Sequence, residues 1–283
     1  MRRPGKRGFA FRLGGRIEPY TIVIGRVRMN RTARLLATCS FALSFLAPIT
    51  ATAEQGHAPH WEYAGKEGPE HWGEIAPEFQ TCKTGKNQSP IDITSGKPEK
   101  LSPIQFDYKA APIGIVNNGH TIQVNVPKGS SITVGGKKYE LLQFHFHSPS
   151  EHKMSGKSGD MEVHLVHKSA EGELAVVGVF MNAGKENAVI KAVWDNLPTE
   201  VGKEKSVAQV TLNPADFLPA KKTYSNYPGS LTTPPCSEGV NWMVMKSSIE
   251  VSKAQVEKFT SIFPMTARPV QPLHERTIKA AAE

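Results

Sequence analysis

Gln143-Phe144-His145-Phe146-His147 alternates polar or titratable residues with large apolar ones, and this run decides the fold. Side chains of a β-strand project to opposite faces in turn. His145 and His147 therefore share a face with Gln143, while Phe144 and Phe146 point into a core on the other side. The same alternation recurs in Glu162-Val163-His164-Leu165-Val166-His167. If the two strands pair, His164 meets His145 and His147 across the ladder.

Three imidazoles converging on one point make the three-ligand arrangement of catalytic zinc, with the fourth position left for water. No thiolate stands among them, which argues against a closed structural zinc site. Gln143 and Glu162 share the parity of the ligands on their strands. Each is placed to accept a hydrogen bond from the second ring N–H of a ligand histidine, which selects the tautomer and tunes the metal. Val166 and, on the next strand, Val176 line the same cavity with apolar surface. A single His-x-His is a weak motif, and any one histidine is more often an ordinary core or surface residue. Two on one face, a third on a neighbouring strand and polar partners at matching parity together point to a metal centre. His152 and His167 fall outside the pattern and read as structural, hydrogen-bonded histidines.

Outward from these strands the chain stays rich in β signals. Thr121–Val126 alternates polar and apolar residues, Gly135-Gly136 reads as a hairpin turn, and Leu174–Phe180 and Val240–Met245 read as further strands. Residues 185–197 and 252–263 have helical spacing, the second with Ser252 as N-cap. Asn213–Phe217 suggests a turn or short helix. Residues 54–90, rich in Gly, Pro, His and aromatics, read as an irregular arm with short helical turns. The 24 Gly and 21 Pro favour many turns over long helices. No linker divides residues 54–283. The expected fold is mainly β (α+β): one domain on a large, mostly antiparallel twisted central sheet with a few short surface helices.

The charge of the whole chain is +8, which taken alone suggests a polyanion-binding protein. Its distribution removes that reading, because residues 1–53 carry +9 and residues 54–283 carry −1. From Met29 the chain has Arg31 and Arg34, an apolar run from Leu35 to Ile49, and Ala51-Thr52-Ala53 before Glu54. This is the three-part layout of a secretory signal peptide. The expectation is a leader starting at Met29, cleavage after Ala53, and a periplasmic or secreted catalytic domain, 54–283. Residues 1–28 are then an extended leader or lie upstream of the true start. Cys39 leaves with the leader. Cys82 and Cys236 remain in an oxidising compartment, where a disulfide is expected over two free thiols. By loop entropy such a long-range bridge is worth on the order of 4 kcal/mol.

At this point the sequence resembles an α-class carbonic anhydrase of the exported bacterial type. The resemblance covers essentially all of residues 60–280. It is carried by Trp61-x-Tyr63, Gly68-Pro69-x-His71-Trp72, Gln88-Ser89-Pro90-Ile91-Asp92-Ile93, Asn117-Asn118-Gly119-His120 and Gln143–His147. It continues through Ser150-Glu151-His152, Glu162–His167, Tyr227–Pro235, Trp242 and Arg268-Pro269-x-Gln271-Pro272.

The resemblance implies reversible hydration of carbon dioxide to bicarbonate and a proton, by attack of zinc-bound hydroxide. His145, His147 and His164 match the ligands of one zinc ion. Thr232 matches the threonine that orients the hydroxide, and Glu151 the glutamate that takes the threonine's proton. His120 matches the proton shuttle. Val166, Val176, Leu231, Val240 and Trp242 match the apolar substrate pocket, with Thr233 beside it. Tyr63, Asn118, Gln123 and Thr233 match the groups that organise the water chain. Cys82 and Cys236 match the disulfide of secreted members. Sulfonamides and anions are expected to inhibit at the zinc. Bacterial relatives are often homodimers, although no oligomer motif is legible here, and neither nucleic-acid binding nor a membrane span is expected. Strand parity sets His120 opposite Gln123, so both face the cavity only if a turn or bulge follows Gly119. Two other function classes fit the sequence less well. A non-catalytic binding module of this fold typically lacks a ligand histidine, and this chain lacks none. A dedicated zinc esterase would need an ester pocket, which the sequence does not indicate.

Overall fold

A computed structural model describes residues 59–94 and 96–281; the expected leader, 1–53, lies outside them. Before the sheet, residues 65–84 form four short helical turns. The strands are β1 (Asp92–Ile93), β2 (Lys97–Glu99), β3 (Gln105–Asp107), β4 (Ala111–Asn117), β5 (Ile122–Asn125), β6 (Ser131–Val134), β7 (Lys137–His147) and β8 (Lys153–Met154). They continue as β9 (Met161–Ser169), β10 (Leu174–Ala183), β11 (Glu204–Leu212), β12 (Tyr224–Ser230), β13 (Glu238–Met245), β14 (Ile249–Val251) and β15 (Lys279–Ala281).

One large sheet runs β11-β4-β5-β7-β9-β10-β13-β12-β15-β2, with β3, β6 and β14 attached beside this path. Most pairings are antiparallel, as expected from sequence. The exceptions within this sheet are β10 with β13, β10 with β14 and β15 with β2, which run parallel, and β1 pairs parallel with β8 in a separate two-stranded sheet. Gly135 and Gly136 both adopt positive φ in the β6–β7 turn, the conformation a two-residue hairpin loop requires.

The period-two reading of β7 and β9 holds. Phe144 and Phe146 are fully buried, in one core with Val124, Val163, Leu165 and Val177. Truncating either phenylalanine to Ala would cost about 3–5 kcal/mol. Helices Ala188–Trp194 and Lys253–Thr260 cover this face through Ile190, Val193, Trp194 and Phe259. Ser252 caps the second helix in a reciprocal capping box with Gln255. The first helix is shorter than its apolar spacing predicted. The Asn187 side chain takes the amides of Val189 and Ile190 and starts the helix there.

The opposite face of the sheet carries the histidines and a second apolar cluster, with Val166, Val176, Val240 and Trp242. A third cluster, Trp72, Phe79, Cys82 and Cys236, packs the N-terminal arm. The Cys82–Cys236 disulfide spans 154 residues and ties the arm to the loop after β12. Among the described residues no helix is long and apolar enough to cross a membrane.

Candidate metal centre

β7 and β9 pair antiparallel with His145 directly opposite His164 and His147 opposite Glu162. One ring nitrogen from each of His145, His147 and His164 lies within 4.8 Å of the others. His147 and His164 are almost wholly buried. Each ring is oriented by a different acceptor. Nδ1 of His145 donates to Oε1 of Gln143 at 2.8 Å. Nδ1 of His147 donates to the carbonyl of Thr266 at 2.6 Å. Nε2 of His164 stands 3.0 Å from Oε1 of Glu162. These acceptors place the protons on Nδ1, Nδ1 and Nε2, so the free lone pairs belong to Nε2 of His145, Nε2 of His147 and Nδ1 of His164.

Burial keeps these imidazoles neutral. It drives His145 well below the ordinary histidine range, helped by His147 and His164, and brings His147 to about 4. His164 is lowered by the same burial, against the pull of Glu162. Burial opposes ionisation of Glu162, but His152 and His164 outweigh it and hold the carboxyl well below its usual range. Neutral, convergent imidazoles shielded from solvent in whole or in part fit a borderline-soft divalent metal such as zinc. His152, Glu162 and His164 also lie close enough to hold a metal. Two of the three are already committed to hydrogen bonds: Oε1 of Glu162 accepts Nδ1 of His152 at 2.8 Å, and Nε2 of His152 pairs with the Tyr227 hydroxyl at 2.6 Å. The imidazole triad is therefore the better candidate. His167 is structural as expected, held between the Tyr108 hydroxyl and the Ala175 carbonyl.

Glu151, fully buried, faces the triad. Its Oε2 lies 3.4 Å from Nε2 of His147 and 3.8 Å from Nδ1 of His164, while Oε1 accepts the backbone N–H of Arg268 at 3.0 Å. Burial pushes its carboxyl up to about 7, against the opposing pull of His164, the Thr232 hydroxyl and the Arg268 amide. Thr232 sits in the loop held at one end by Leu231 N–H on the Ser237 carbonyl and at the other by the disulfide. Val166, Val176, Val240 and Trp242 form the apolar wall, with Leu231 packed against it.

A cavity of about 120 Å³ brings together Tyr63, Asn118, His120, Gln123, Gln143, His145, His147 and Thr233. The parity conflict at His120 resolves because β5 begins only at Ile122. His120 lies in the preceding turn, where Gly119 takes φ +90° and Asn118 Oδ1 accepts the amides of His120 and Thr121. The His120 ring lies flat on Trp61, centroids 3.7 Å apart and planes 10° apart. Burial lowers its pKa, and Glu62 partly offsets this.

Sequence reasoning missed four contributors. The Thr266 carbonyl and the Arg268 amide are backbone groups and leave no signature in residue type. Arg268 also spans the arm, donating from its guanidinium to Gln88 Oε1, the Ser89 carbonyl and the Cys82 carbonyl. Trp61 and Arg268 were visible only as parts of longer motifs. Gly178 stands opposite His164 on β10, and a Cβ there would come within 2.8 Å of Oε1 of Glu162. Its missing side chain makes room for that carboxylate.

Comparison with known proteins shows the family and the fold. The sequence profile of the family described as "Eukaryotic-type carbonic anhydrase" matches residues 67–282. A carbonic anhydrase of Nostoc sp. is 43% identical over 87% of this chain and 94% of its own. One of Neisseria gonorrhoeae is 41% identical over 88% of this chain and 99% of its own. The solved α-carbonic anhydrase of Thermovibrio ammonificans, in complex with the inhibitor sulfanilamide, is similar with a TM-score of 0.76. It is 45% identical, over 79% of this chain and 100% of its own.

Proposed function

The chain belongs to the eukaryotic-type (α) carbonic anhydrase family, an enzyme family of carbon dioxide hydration, and on that premise we propose a zinc mechanism with a histidine proton shuttle. The observation that carries the proposal is the triad, whose free lone pairs converge from three neutral imidazoles, those of His147 and His164 buried and that of His145 half-buried. His145, His147 and His164 would hold the ion. Zinc, when bound, supplies a Lewis acid that lowers the pKa of water to about 7 and so provides hydroxide at neutral pH.

The remaining work falls to the chain's own residues. The Arg268 amide holds the Glu151 carboxylate as an acceptor for the Thr232 hydroxyl. With its proton committed there, Thr232 Oγ1 offers only lone pairs to the cavity, which orients an attacking O–H donor. Carbon dioxide is apolar and rests against Val166, Val176, Leu231, Val240 and Trp242. The proton released by hydration leaves through His120, since imidazole loads and unloads near neutrality. Tyr63, Asn118, Gln123 and Thr233 line the path and anchor its waters. Trp61 holds the His120 ring at the mouth.

Export is part of the proposal. The leader at 29–53 and the disulfide both support a periplasmic or secreted enzyme, and cell fractionation checks it. Sulfonamide binding at the same site is supported by the sulfanilamide complex of the Thermovibrio relative. The decisive experiment purifies the protein, measures its zinc content and follows carbon dioxide hydration by stopped flow. A folded, zinc-loaded protein no faster than buffer overturns the proposal.

A further inference from the structure

Gln123 and Asn125 stand two apart on β5 and so share a face. In register, Gln123 lies opposite the ligand His145 and Asn125 opposite Gln143. Nε2 of Gln123 donates to Oδ1 of Asn125 at 2.8 Å. Nδ2 of Asn125 in turn donates to Oε2 of Glu204 at 2.5 Å. Glu204 begins β11, the edge strand, two strands away from β5 across β4. Its carboxylate reaches Asn125 by crossing β4 at Gly114, the residue paired with Asn125. A Cβ on Gly114 would lie 2.5 Å from Cδ of Glu204, so the carboxylate keeps this crossing over a residue without a side chain and would have to shift aside for an alanine.

This chain of three residues has a polarity that chemistry dictates. A carboxylate only accepts, so Asn125 must turn its NH₂ outward to Glu204 and its carbonyl inward. Gln123 must then give its NH₂ to Asn125. The atom left for the catalytic cavity, which Gln123 lines beside His120 and His145, is Oε1. We propose that Glu204, acting through Asn125, is a positioning residue that makes Gln123 present a carbonyl rather than an NH₂ to the proton-transfer waters. A water that donates to a carbonyl keeps its lone pairs available to receive a proton. A water that accepts from an NH₂ has one lone pair occupied and is a poorer relay. The kinetic consequence rests on the carbonic anhydrase mechanism proposed above; the amide orientation does not.

Three substitutions test it. Glu204→Gln keeps the shape but offers both a donor and an acceptor, so it releases the polarity. Glu204→Lys offers only donors and inverts it. Gly114→Ala evicts the Glu204 side chain while leaving its charge. Side-chain amide hydrogen exchange by NMR, assigned with Gln123→Glu, reads the orientation in metal-free and zinc-loaded protein. Exchange of the Gln123 NH₂ should rise at least about fivefold in Glu204→Lys, the worth of one neutral hydrogen bond. Turnover in weak buffer should fall by a similar factor, Glu204→Lys most. kcat/KM, zinc content and turnover in concentrated imidazole buffer should hold. Unchanged Gln123 exchange in Glu204→Lys and Gly114→Ala overturns the relay. Altered exchange with unchanged weak-buffer turnover overturns its part in proton transfer. If wild-type protein itself hydrates no carbon dioxide, the mechanism fails, while the exchange data still decide the orientation.

Discussion

Glu162→Gln should weaken the metal centre more than its near-identical shape suggests. The Glu162 carboxylate has no solvent exposure and faces three N–H groups. Oε1 takes Nδ1 of His152 at 2.8 Å and faces Nε2 of His164 at 3.0 Å, and Oε2 takes the His152 amide at 2.9 Å. A carboxamide has one oxygen for these two positions. With the oxygen at the Oε1 position, its NH₂ confronts the His152 N–H, and a buried donor is left unpaired at about 1–3 kcal/mol. With the NH₂ at the Oε1 position, both histidines face a donor. His164 must then protonate Nδ1, the atom it would offer the metal. The first arrangement is the cheaper one. It also turns two charge-assisted bonds into neutral ones, at about 1 kcal/mol each. The expected loss in the metal-free protein is therefore about 3–5 kcal/mol, read by urea unfolding. Zinc affinity should drop about 10- to 100-fold, read by competition with a chromophoric chelator. Metal-free stability within 0.5 kcal/mol of wild type, by the precision expected of a surface substitution, together with unchanged zinc affinity, would refute the reasoning.

Acid stability offers a second test, because burial holds His167 at about 3, against the Ala175 and Leu165 carbonyls. An unfolded histidine titrates near 6.5. The unfolded chain thus binds a proton that the folded one refuses. This contribution is complete above about pH 6.5 and is lost at up to about 1.4 kcal/mol per pH unit as pH falls toward 3. His167→Gln should lower the slope of unfolding free energy against pH by about one proton in that window, and an unchanged slope counts against the buried neutral state. Replacing Cys82 and Cys236 together by Ser should cost about 2–5 kcal/mol in chemical denaturation; a loss under 1 kcal/mol would show that the bridge does not restrain the unfolded chain. His120→Ala should keep its zinc, lose turnover in weak buffer and recover it with added imidazole. Undiminished turnover in weak buffer would remove His120 from the proton path.

The parts of the site that period-two alternation controls were legible: the triad, Gln143, Glu162 and the split between Phe144 and His145. What alternation does not describe was not. His120 lies in a turn, where parity has no meaning, and only the φ of Gly119 and the Asx contacts of Asn118 carry it onto the cavity side. Gly114 and Gly178 each make room for a carboxylate from another strand, and nothing local to either residue announces it. The helix at 185–197 was overlong because its apolar spacing ignores Asn187, which prefers capping to continuing a helix.

The three candidate ligands differ in how their acceptors were hidden, and the difference has a consequence. Gln143 and Glu162 are side chains that selection or an experimenter can change. The acceptor of His147 is the carbonyl of Thr266, 119 residues away, and no substitution at 266 other than one that moves the backbone removes it. The Thr266 side chain guards that position: Oγ1 of Thr266 accepts the amide of Ser148 at 2.8 Å, and the Thr266 amide donates to the Ser148 carbonyl at 3.1 Å. Two further bonds thus fix the segment whose carbonyl orients His147. The tautomer of His147 is set by the closing of a long chain loop, whereas those of His145 and His164 are set within their own strands. Zinc affinity should therefore respond to Gln143 and Glu162 by direct substitution, and to the His147 acceptor only through changes that loosen residues 264–268 against the Ser148 turn.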